Sequence, residues 1–321
     1  MAASLLVTGI WGNSAFATLG KSKKLAPVTS IAALDQMLAK SIKQKKLPDS
    51  LTPFLQSTIS NLYAVQGFAY LHSSCNPDTY NREARDPVPC WYGSKTAKRT
   101  IAIWRDPFVG NWLPALNIAG KALGFKLAVF EFSHCTVTFD NSISSGPGFG
   151  QNEVNACIEF HKSLPKSVQE IARVVVMAAN GDPSWGTYGD AGFITDLGKA
   201  FDEMSTVTNH PIRILLGTGP NLSVSAPLCL LSHPTSINGC NLTCGSGSAF
   251  GAALLRDQNS IRGAQVHLIP TCQWICLNGV CPDVIGNVEV YADTDHLAIA
   301  ISEYLSLLLE KSLLPLLQVS S

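Results

Sequence analysis

The stretch IAIWRDPFVGNWLPALNIAGKALGFKLAVF, residues 101–130, decides the fold. It opens on an apolar run at 101–104, continues with helical periodicity over 109–123 and closes on a second apolar run at 126–130. Gly124 directly follows the periodic part and is typical of a helix C-terminal stop. A strand, a helix and a strand in this order predict one strand–helix–strand unit of a parallel sheet.

The same alternation continues along the chain. Further strands are predicted at 173–177, 212–216 and 265–269, and helices at 152–162, 194–204, 249–256 and from about His296 onward. In the last helix, an apolar stripe is expected to pack in the core: Leu297, Ile301, Tyr304, Leu305 and Leu308. Short apolar strands between amphipathic helices predict an α/β fold, a three-layer α/β/α sandwich with a mainly parallel sheet.

The N-terminal part divides into two segments. Residues 1–27 read as a signal-like or membrane-proximal segment, since the first twenty carry no charge and Ala15-Phe16-Ala17 resembles a cleavage site. A signal peptide and the remnant of a membrane helix both remain open. Residues 28–98 are predicted to form a disulfide-stapled arm with a helix that begins after Ser30 as N-cap. Residues 99–321 are predicted to form the α/β domain.

The charge balance excludes some function classes. The chain has 23 Lys and Arg against 23 Asp and Glu, so it offers no excess basic charge to nucleic acid. Only 14% of the residues are charged and 46% are hydrophobic, which argues against a disordered chain.

Ten cysteines, an even number, favour disulfides in an oxidising compartment over reduced core cysteines. Cys240 with Cys244 and Cys272 with Cys276 have three residues between them, but no histidine lies a few residues from either pair, so no metal site is predicted. The spacing does not fix the connectivity. The short loops 75–90 and 276–281 are the simplest to close.

The carboxyl ends of parallel strands are where function is expected, here at 104–112, 179–185 and 291–297. In the third segment, Asp293 lies three residues before His296. Such a carboxylate can hold one ring nitrogen and leave the other as a general base. The alternative is structural, with Asp293 or Asp295 capping the last helix.

Three segments carry a family resemblance: LPDSLTP at 47–53, IAIWRDPFVGNWLPALNIAGKALGFKL at 101–127, and CQWICLNGVCPDVIGNVEVYADTDHLA at 272–298. Together they resemble the SGNH-hydrolase-like domain that follows the membrane part of bacterial acyltransferase-3 proteins, especially actinobacterial ones. The resemblance implies a flavodoxin-like sandwich and the transfer or removal of O-linked acyl groups, typically acetyl, on cell-envelope glycans. It also implies an extracytoplasmic location.

The same resemblance assigns site residues. Asp293 corresponds to the orienting acid and His296 to the base. The family's Gly-Asp-Ser-His motif aligns with Arg105-Asp106-Pro107-Phe108, so Asp106 is retained and Pro107 occupies the nucleophile position. A side chain without a hydroxyl or thiol cannot form an acyl-enzyme. Asp106 as N-cap and Pro107 as first helical residue fit a structural junction.

For the other candidate residues, a structural interpretation stands beside the functional one. Asn180 is the candidate oxyanion donor or a turn residue, and Ser184 a substitute nucleophile or a chance serine in a turn. Gly217 to Pro220 could line the cleft but lack the features of a nucleotide loop, and no cofactor is predicted. The tryptophans that could form a sugar platform or pack in the core are Trp112, Trp185 and Trp274.

The expected partners are an envelope carbohydrate acceptor or acyl ester and a membrane acyltransferase module, with no nucleic acid. The missing serine leaves two functions open. One is impaired O-acyl chemistry by a Ser-His-Asp type mechanism, and the other is a non-catalytic domain that binds or scaffolds envelope glycans.

Overall fold

A computed structural model describes residues 26–60, 87–105, 107–131, 151–178, 198–204, 211–217, 224–243, 266–294 and 296–318. Its strands are β1 (Cys90–Gly93), β2 (Arg99–Arg105), β3 (Phe125–Glu131), β4 (Val174–Ala178), β5 (Ile212–Leu216), β6 (Leu242–Thr243), β7 (Val266–Ile269), β8 (Val280–Cys281), β9 (Val284–Ile285) and β10 (Val288–Glu289). Its helices are α1 (Ile31–Ser41), α2 (Leu55–Ser60), α3 (Pro107–Leu123), α4 (Gln151–Ile171), α5 (Ala226–Ser232), α6 (Ile299–Tyr304) and α7 (Ser306–Gln318), and residues 198–203 are also helical.

The main sheet has the order β1-β3-β2-β4-β5-β7. β1 runs antiparallel to β3, and every other neighbouring pair is parallel. The five parallel strands, counted along the chain, therefore lie in the order 2-1-3-4-5, which is the flavodoxin-like arrangement. This confirms the predicted fold class. It also places the switch in strand order between β2 and β4, where sheets of this kind bind their ligands beyond the carboxyl ends.

Both faces of the sheet are buried, which explains the unbroken apolar run in β2. Ile101 and Ile103 point to one core, which they share with residues of α1, α3, α6 and α7. Ala102 and Trp104 point to a second core on the opposite face, shared with α4 and Phe201. Successive residues of a strand face opposite sides of a sheet, so a strand covered on both sides has no position for an exposed polar residue.

Local signals set the helix ends where the sequence predicts them. The Ser30 side-chain oxygen accepts a hydrogen bond of 3.2 Å from the Ala33 N–H and so caps α1. Gly124 has a φ of +71°, the left-handed backbone that favours glycine, and it ends α3.

Two helix predictions are wrong in their bounds. α4 continues past the predicted end at residue 162, because its further turns bury Leu164 and Val168 in the second core. The last helix begins at Ile299 rather than near His296, and α6 and α7 divide at Leu305. The predicted apolar stripe is confirmed as core, with Leu297, Ile301, Tyr304, Leu305 and Leu308 all buried.

The predicted disulfides are confirmed. Cys276 pairs with Cys281, which closes one of the two short loops, and Cys229 pairs with Cys240. All seven cysteines that the structure describes are disulfide-bonded: Cys90, Cys157, Cys229, Cys240, Cys272, Cys276 and Cys281. Cys75 lies outside the described residues, so closure of the 75–90 loop stays a prediction.

The predicted arm supplies parts of the packed structure. Leu34 and Leu38 of α1 are fully buried in the first core, and β1 forms the edge of the main sheet. The boundary at residue 99 stays a prediction, and residues 1–25 lie outside the described part. Across the described ranges, no helix combines the length and apolarity needed to cross a membrane.

Candidate active site

The segment from Val290 to Ala298 folds back on itself and forms a short closed loop. The Ala298 N–H donates to the Val290 carbonyl (3.0 Å), Tyr291 pairs with Leu297 in an antiparallel bridge, and the Ala292 N–H donates to the His296 carbonyl (2.8 Å). Three successive pairings therefore fix the backbone on either side of the predicted acid and base.

Within this loop, the Asp293 carboxylate holds His296 through both of its oxygens. Oδ2 lies 2.8 Å from the ring Nδ1, and Oδ1 accepts the His296 backbone N–H at 2.7 Å. Both side chains are partly buried, with 16% of His296 and 19% of Asp293 exposed. A carboxylate on Nδ1 favours the ring tautomer whose Nε2 carries the lone pair, which is the arrangement that a general base needs.

For Asp293, the described residues do not show the structural alternative. α6 begins at Ile299 with Ala298 as N-cap, and Asp295 lies outside the described residues. Asp293 closes a loop instead, and His296 precedes the helix. The loop also contacts α5, whose first residue Ala226 donates its N–H to the Asp293 carbonyl at 3.4 Å.

A buried hydrogen bond joins this loop to α3. The Leu297 N–H donates to the Asn111 side-chain oxygen at 3.0 Å. Asn111 lies four residues after Pro107, the first residue of α3, which is about 6 Å along the helix axis and on the same face. The acid–base pair is thereby held close to the turn that follows β2, beside the switch in strand order.

The residues on either side of position 106 belong to regular elements of the structure. Arg105 is the last residue of β2 and pairs with Glu131 and Ala178, so its backbone is extended and does not require glycine. Pro107 begins α3, as predicted from its fixed φ. Asp106 lies outside the described residues, and so do two other candidates, Asn180 and Ser184.

Three further candidate residues, which the structure describes, have structural roles. Trp112 and Trp274 are 1% and 2% exposed and pack edge to face with ring centroids 5.5 Å apart, so they belong to the core and not to a sugar platform. Gly217 donates its N–H to Ile269 and accepts from the Thr271 hydroxyl at 2.6 Å, so it ties β5 to the end of β7. Residues 218–220 and Trp185 lie outside the described part.

One cluster has metal-ligand chemistry that the sequence spacing did not suggest. The ligand atoms of Cys229, His233 and Cys240 lie within 4.8 Å of one another. Cys229 and Cys240 are bonded to each other, however, and a metal needs the thiolates. While the disulfide is intact, this cluster does not offer a metal site.

A cluster of buried acidic side chains directly precedes the Asp293–His296 loop in the sequence. Asp283, Glu289 and Tyr291 are 2%, 0% and 0% exposed, and within the described part of the chain Asp283 Oδ1, Glu289 Oε1 and the Tyr291 hydroxyl have no hydrogen-bond partner. The Thr58 hydroxyl donates to Glu289 Oε2 at 2.5 Å. No described ion pair involves this group.

Burial controls how this group ionises. It raises the pKa of Asp283 from 3.8 to about 7. Burial also raises the pKa of Glu289 from 4.5 to about 8, with the Thr58 hydrogen bond lowering it and the Asp283 charge raising it. The pKa of Tyr291 lies well above its ordinary value, first through burial and then through Asp283. The two carboxyl groups are therefore protonated under mildly acidic conditions.

Roles for Asn111 and for the pair Asp283 and Glu289 were not predicted from the sequence. Each had a weak signal. Asn111 is one of two amides inside a mostly apolar helix, and the two acids interrupt the apolar run from 280 to 292. Buried polar residues usually have a specific partner or role, but a single sequence does not identify which partner it is.

Comparison with known families adds an independent result. Residues 74–311 match the model of the SGNH domain that is fused to AT3 domains. The chain belongs to this family. The matched range includes both the β2–α3 junction and the Asp293–His296 loop of this SGNH domain.

One solved structure confirms the fold of the SGNH domain. The periplasmic domain of a lipopolysaccharide acetyltransferase from Salmonella ser. Paratyphi A is similar with a TM-score of 0.53 and 13% identity, over 87% of this chain and 94% of that one. The salicylyl-acyltransferase SsfX3 from a tetracycline biosynthetic pathway matches with a TM-score of 0.37 and 12% identity, over 69% of this chain and 56% of that one. No curated protein matches the sequence significantly.

Proposed function

We propose that this SGNH domain works outside the cytoplasm in the O-acylation of cell-envelope glycans, and that its own Ser-His-Asp chemistry is impaired at Pro107. Membership of the family supports acyl-transfer or esterase-type chemistry as the origin of the site. The Asp293–His296 pair retains the base and its orienting acid, whereas position 107 lacks a nucleophilic atom.

The hydrogen bond from Leu297 to Asn111 is the observation that carries this proposal. It brings the base to within about one turn of the position where the family has its nucleophile. An acid–histidine pair elsewhere on the surface would be a common ion pair. A position near the carboxyl end of β2 supports a role of this pair as the base for a hydroxyl there.

In a domain with the serine intact, this geometry gives each group a defined step. His296 Nε2 takes the hydroxyl proton as the oxygen attacks the acyl carbonyl, and the imidazolium that forms is stabilised by Asp293. The ring then returns the proton to the leaving alcohol or sugar oxygen. We keep Asn180 as the proposed side-chain donor to the tetrahedral oxyanion, together with backbone N–H groups of the β2–α3 turn.

The second candidate function is a non-catalytic domain that binds or scaffolds envelope glycans. Pro107 favours it, because no acyl-enzyme forms on a proline. Both functions share the same partners, an envelope carbohydrate or its acyl ester and a membrane acyltransferase module. Family fusion to AT3 domains supports the membrane module, and the disulfides support an oxidising compartment.

Hydrolysis of 4-nitrophenyl acetate by the native protein tests the impairment. We expect the same hydrolysis rate from the native protein, from His296→Ala and from the control variant His267→Ala. His267 is an exposed residue of β7. Native turnover that disappears in His296→Ala alone would show that another residue, such as Ser184, supplies the nucleophile, and the impairment would be refuted.

Calorimetric titration with envelope polysaccharide, before and after chemical de-O-acetylation, tests the second function. Binding by the native protein without any change in the acetyl content of the polysaccharide supports a non-catalytic domain. Loss of acetyl groups during the titration contradicts it.

A further inference from the structure

Helix α3 carries two buried asparagines, Asn111 and Asn117, which are 4% and 6% exposed. Each accepts a backbone N–H from a distant part of the chain through its side-chain oxygen. Asn111 accepts from Leu297 at 3.0 Å and Asn117 from Gly93 at 2.8 Å. The two residues are six positions apart, about 9 Å along the axis, so the helix is fixed at one point to the Asp293–His296 loop and at another to the edge strand β1.

The contact of Asn111 acts on the peptide group between His296 and Leu297. The carbonyl of this peptide accepts from the Ala292 N–H at 2.8 Å, and its N–H donates to Asn111. Since a peptide group is planar, these two hydrogen bonds on opposite sides set the orientation of the plane attached to the His296 Cα. Only the side-chain torsions then remain to place the imidazole, and Asp293 holds the ring through Nδ1.

A second buried contact supports the same alignment one turn further along α3. The Ala115 N–H donates to the Ser302 hydroxyl oxygen at 3.2 Å. Ala115 follows Pro114, which has no N–H of its own and weakens the helix ladder at this point. Ser302 belongs to α6, so two polar contacts align α3 with the segment that follows His296.

We propose that Asn111 is the positioning residue of the site. It aims the His296 ring at the N-terminus of α3 by holding the peptide group between His296 and Leu297. This inference rests on the proposed function for its catalytic consequence, whereas its structural part does not. Asn117 has the same residue type, helix and kind of partner but contacts β1, so it provides a matched control.

The structural part is tested in the native sequence with Asn111→Ala and Asn117→Ala. Asn111→Ala should speed hydrogen exchange of the Leu297 amide about tenfold or more, the factor expected for one lost buried hydrogen bond. It should also weaken the NMR signal of the His296 Nδ1 proton against Asp293. Asn117→Ala should leave both unchanged. A folded Asn111→Ala with native exchange at Leu297 and a native His296 signal would overturn the proposal.

Asn111→Asp keeps the shape of the side chain and an acceptor oxygen. This variant still decides the test if Asn111→Ala does not fold. We expect Leu297 protection and the His296 signal to remain. Loss of both in a folded Asn111→Asp would show that the acceptor oxygen does not position His296, and the proposal would fail.

The catalytic part is measured after Arg105→Gly, Pro107→Ser and Phe108→His have restored the family motif. In that background, Asn111→Ala should lower kcat for 4-nitrophenyl acetate about tenfold with KM unchanged, and Asn117→Ala should not lower it. A restored protein without turnover, in which Asn111→Ala still alters the His296 signal, would count against the proposed function and support the positioning role. Equal losses of kcat in both alanine variants would contradict that role.

Discussion

The carboxylate of Asp293 combines a structural and a chemical contact. One oxygen accepts the His296 backbone N–H and the other lies against the ring Nδ1, so the residue shapes the loop and orients the imidazole together. The spacing of three residues makes this double contact possible. Asp-x-x-His was therefore a correct signal for an interaction, but the sequence alone could not tell a loop-closing carboxylate from a helix cap.

Replacing Asp293 by Asn should reverse the tautomer of His296. The amide N–H₂ of Asn donates to Nδ1, which then becomes an acceptor and leaves the proton on Nε2. Imidazole ¹⁵N chemical shifts in the folded protein report this directly. Asp202→Asn, at an exposed ion pair with Arg213, serves as the control and should leave the His296 shifts unchanged. An Asp293→Asn protein with the native tautomer would show that the carboxylate does not orient the ring.

Asn111 marks the limit of what could be predicted for single residues. Its neighbours Trp112 and Leu113 are apolar and buried, and the periodicity correctly predicted a core helix there. Whether the Asn111 amide faces a backbone donor depends on a segment 186 residues away, and no local pattern records that contact. The same holds for Asp283 and Glu289, whose burial depends on the packing of β9 and β10.

The β9–β10 pair places two acids inside the protein directly before the Asp293–His296 loop. β10 ends at Glu289, and the Val290 N–H donates to the carbonyl of Asp283. Strands this short have few ladder hydrogen bonds. The position of β10 therefore depends on its packing against Thr52 and α6. Ionisation of the buried carboxyl groups should therefore affect this two-stranded element before the main sheet.

The free energy of unfolding should fall as the pH rises from about 4 to about 8. Asp283 and Glu289 have folded-state pKa values of about 7 and about 8, above their ordinary 3.8 and 4.5. Between these limits the folded protein keeps protons that the unfolded chain has lost, so the slope of stability against pH is negative, and the loss is complete above the folded-state values.

Asp283→Asn and Glu289→Gln should each remove part of this loss. For each variant, the free energy of unfolding is compared with that of the native protein at pH 4 and at pH 8. Between these pH values, this difference should shift by about 2 kcal/mol or more in favour of the variant, since one pKa unit corresponds to about 1.4 kcal/mol. Denaturant unfolding across this pH range measures it. Asp49→Asn, at an exposed position, is the control. Equal pH dependence in Asp283→Asn, Glu289→Gln and Asp49→Asn would contradict the buried-acid explanation.

At the level of elements, periodicity predicted the core strands and the helix that follows β2. The predicted start of the last helix near His296 failed because backbone pairing overrides local propensity. Leu297 and Ala298 pair with Tyr291 and Val290, and this holds them extended until Ile299. A one-dimensional pattern does not contain that pairing.

The whole molecule brings together two segments that are far apart in the chain. The flavodoxin-like strand order puts the carboxyl end of β2 at the switch point, and the hydrogen bond from Leu297 to Asn111 joins the C-terminal segment to the first turns of α3, which follow that strand end. Alternation of strands and helices predicted the layers. It could not give the strand order, which depends on crossover connections, nor the partners of the cysteines.

Covalent labelling at position 107 measures whether these segments form one site. A fluorophosphonate reacts with a serine that a neighbouring histidine activates, and intact-protein and peptide mass spectrometry locate the adduct. The protein to label carries Arg105→Gly, Pro107→Ser and Phe108→His, with the native protein and the same variant with His296→Ala beside it. We predict an adduct at position 107 in the restored protein, and none in the other two. A folded restored protein that remains unlabelled, or one that is labelled equally without His296, would contradict an SGNH site in which the Asp293–His296 pair serves the position now held by Pro107.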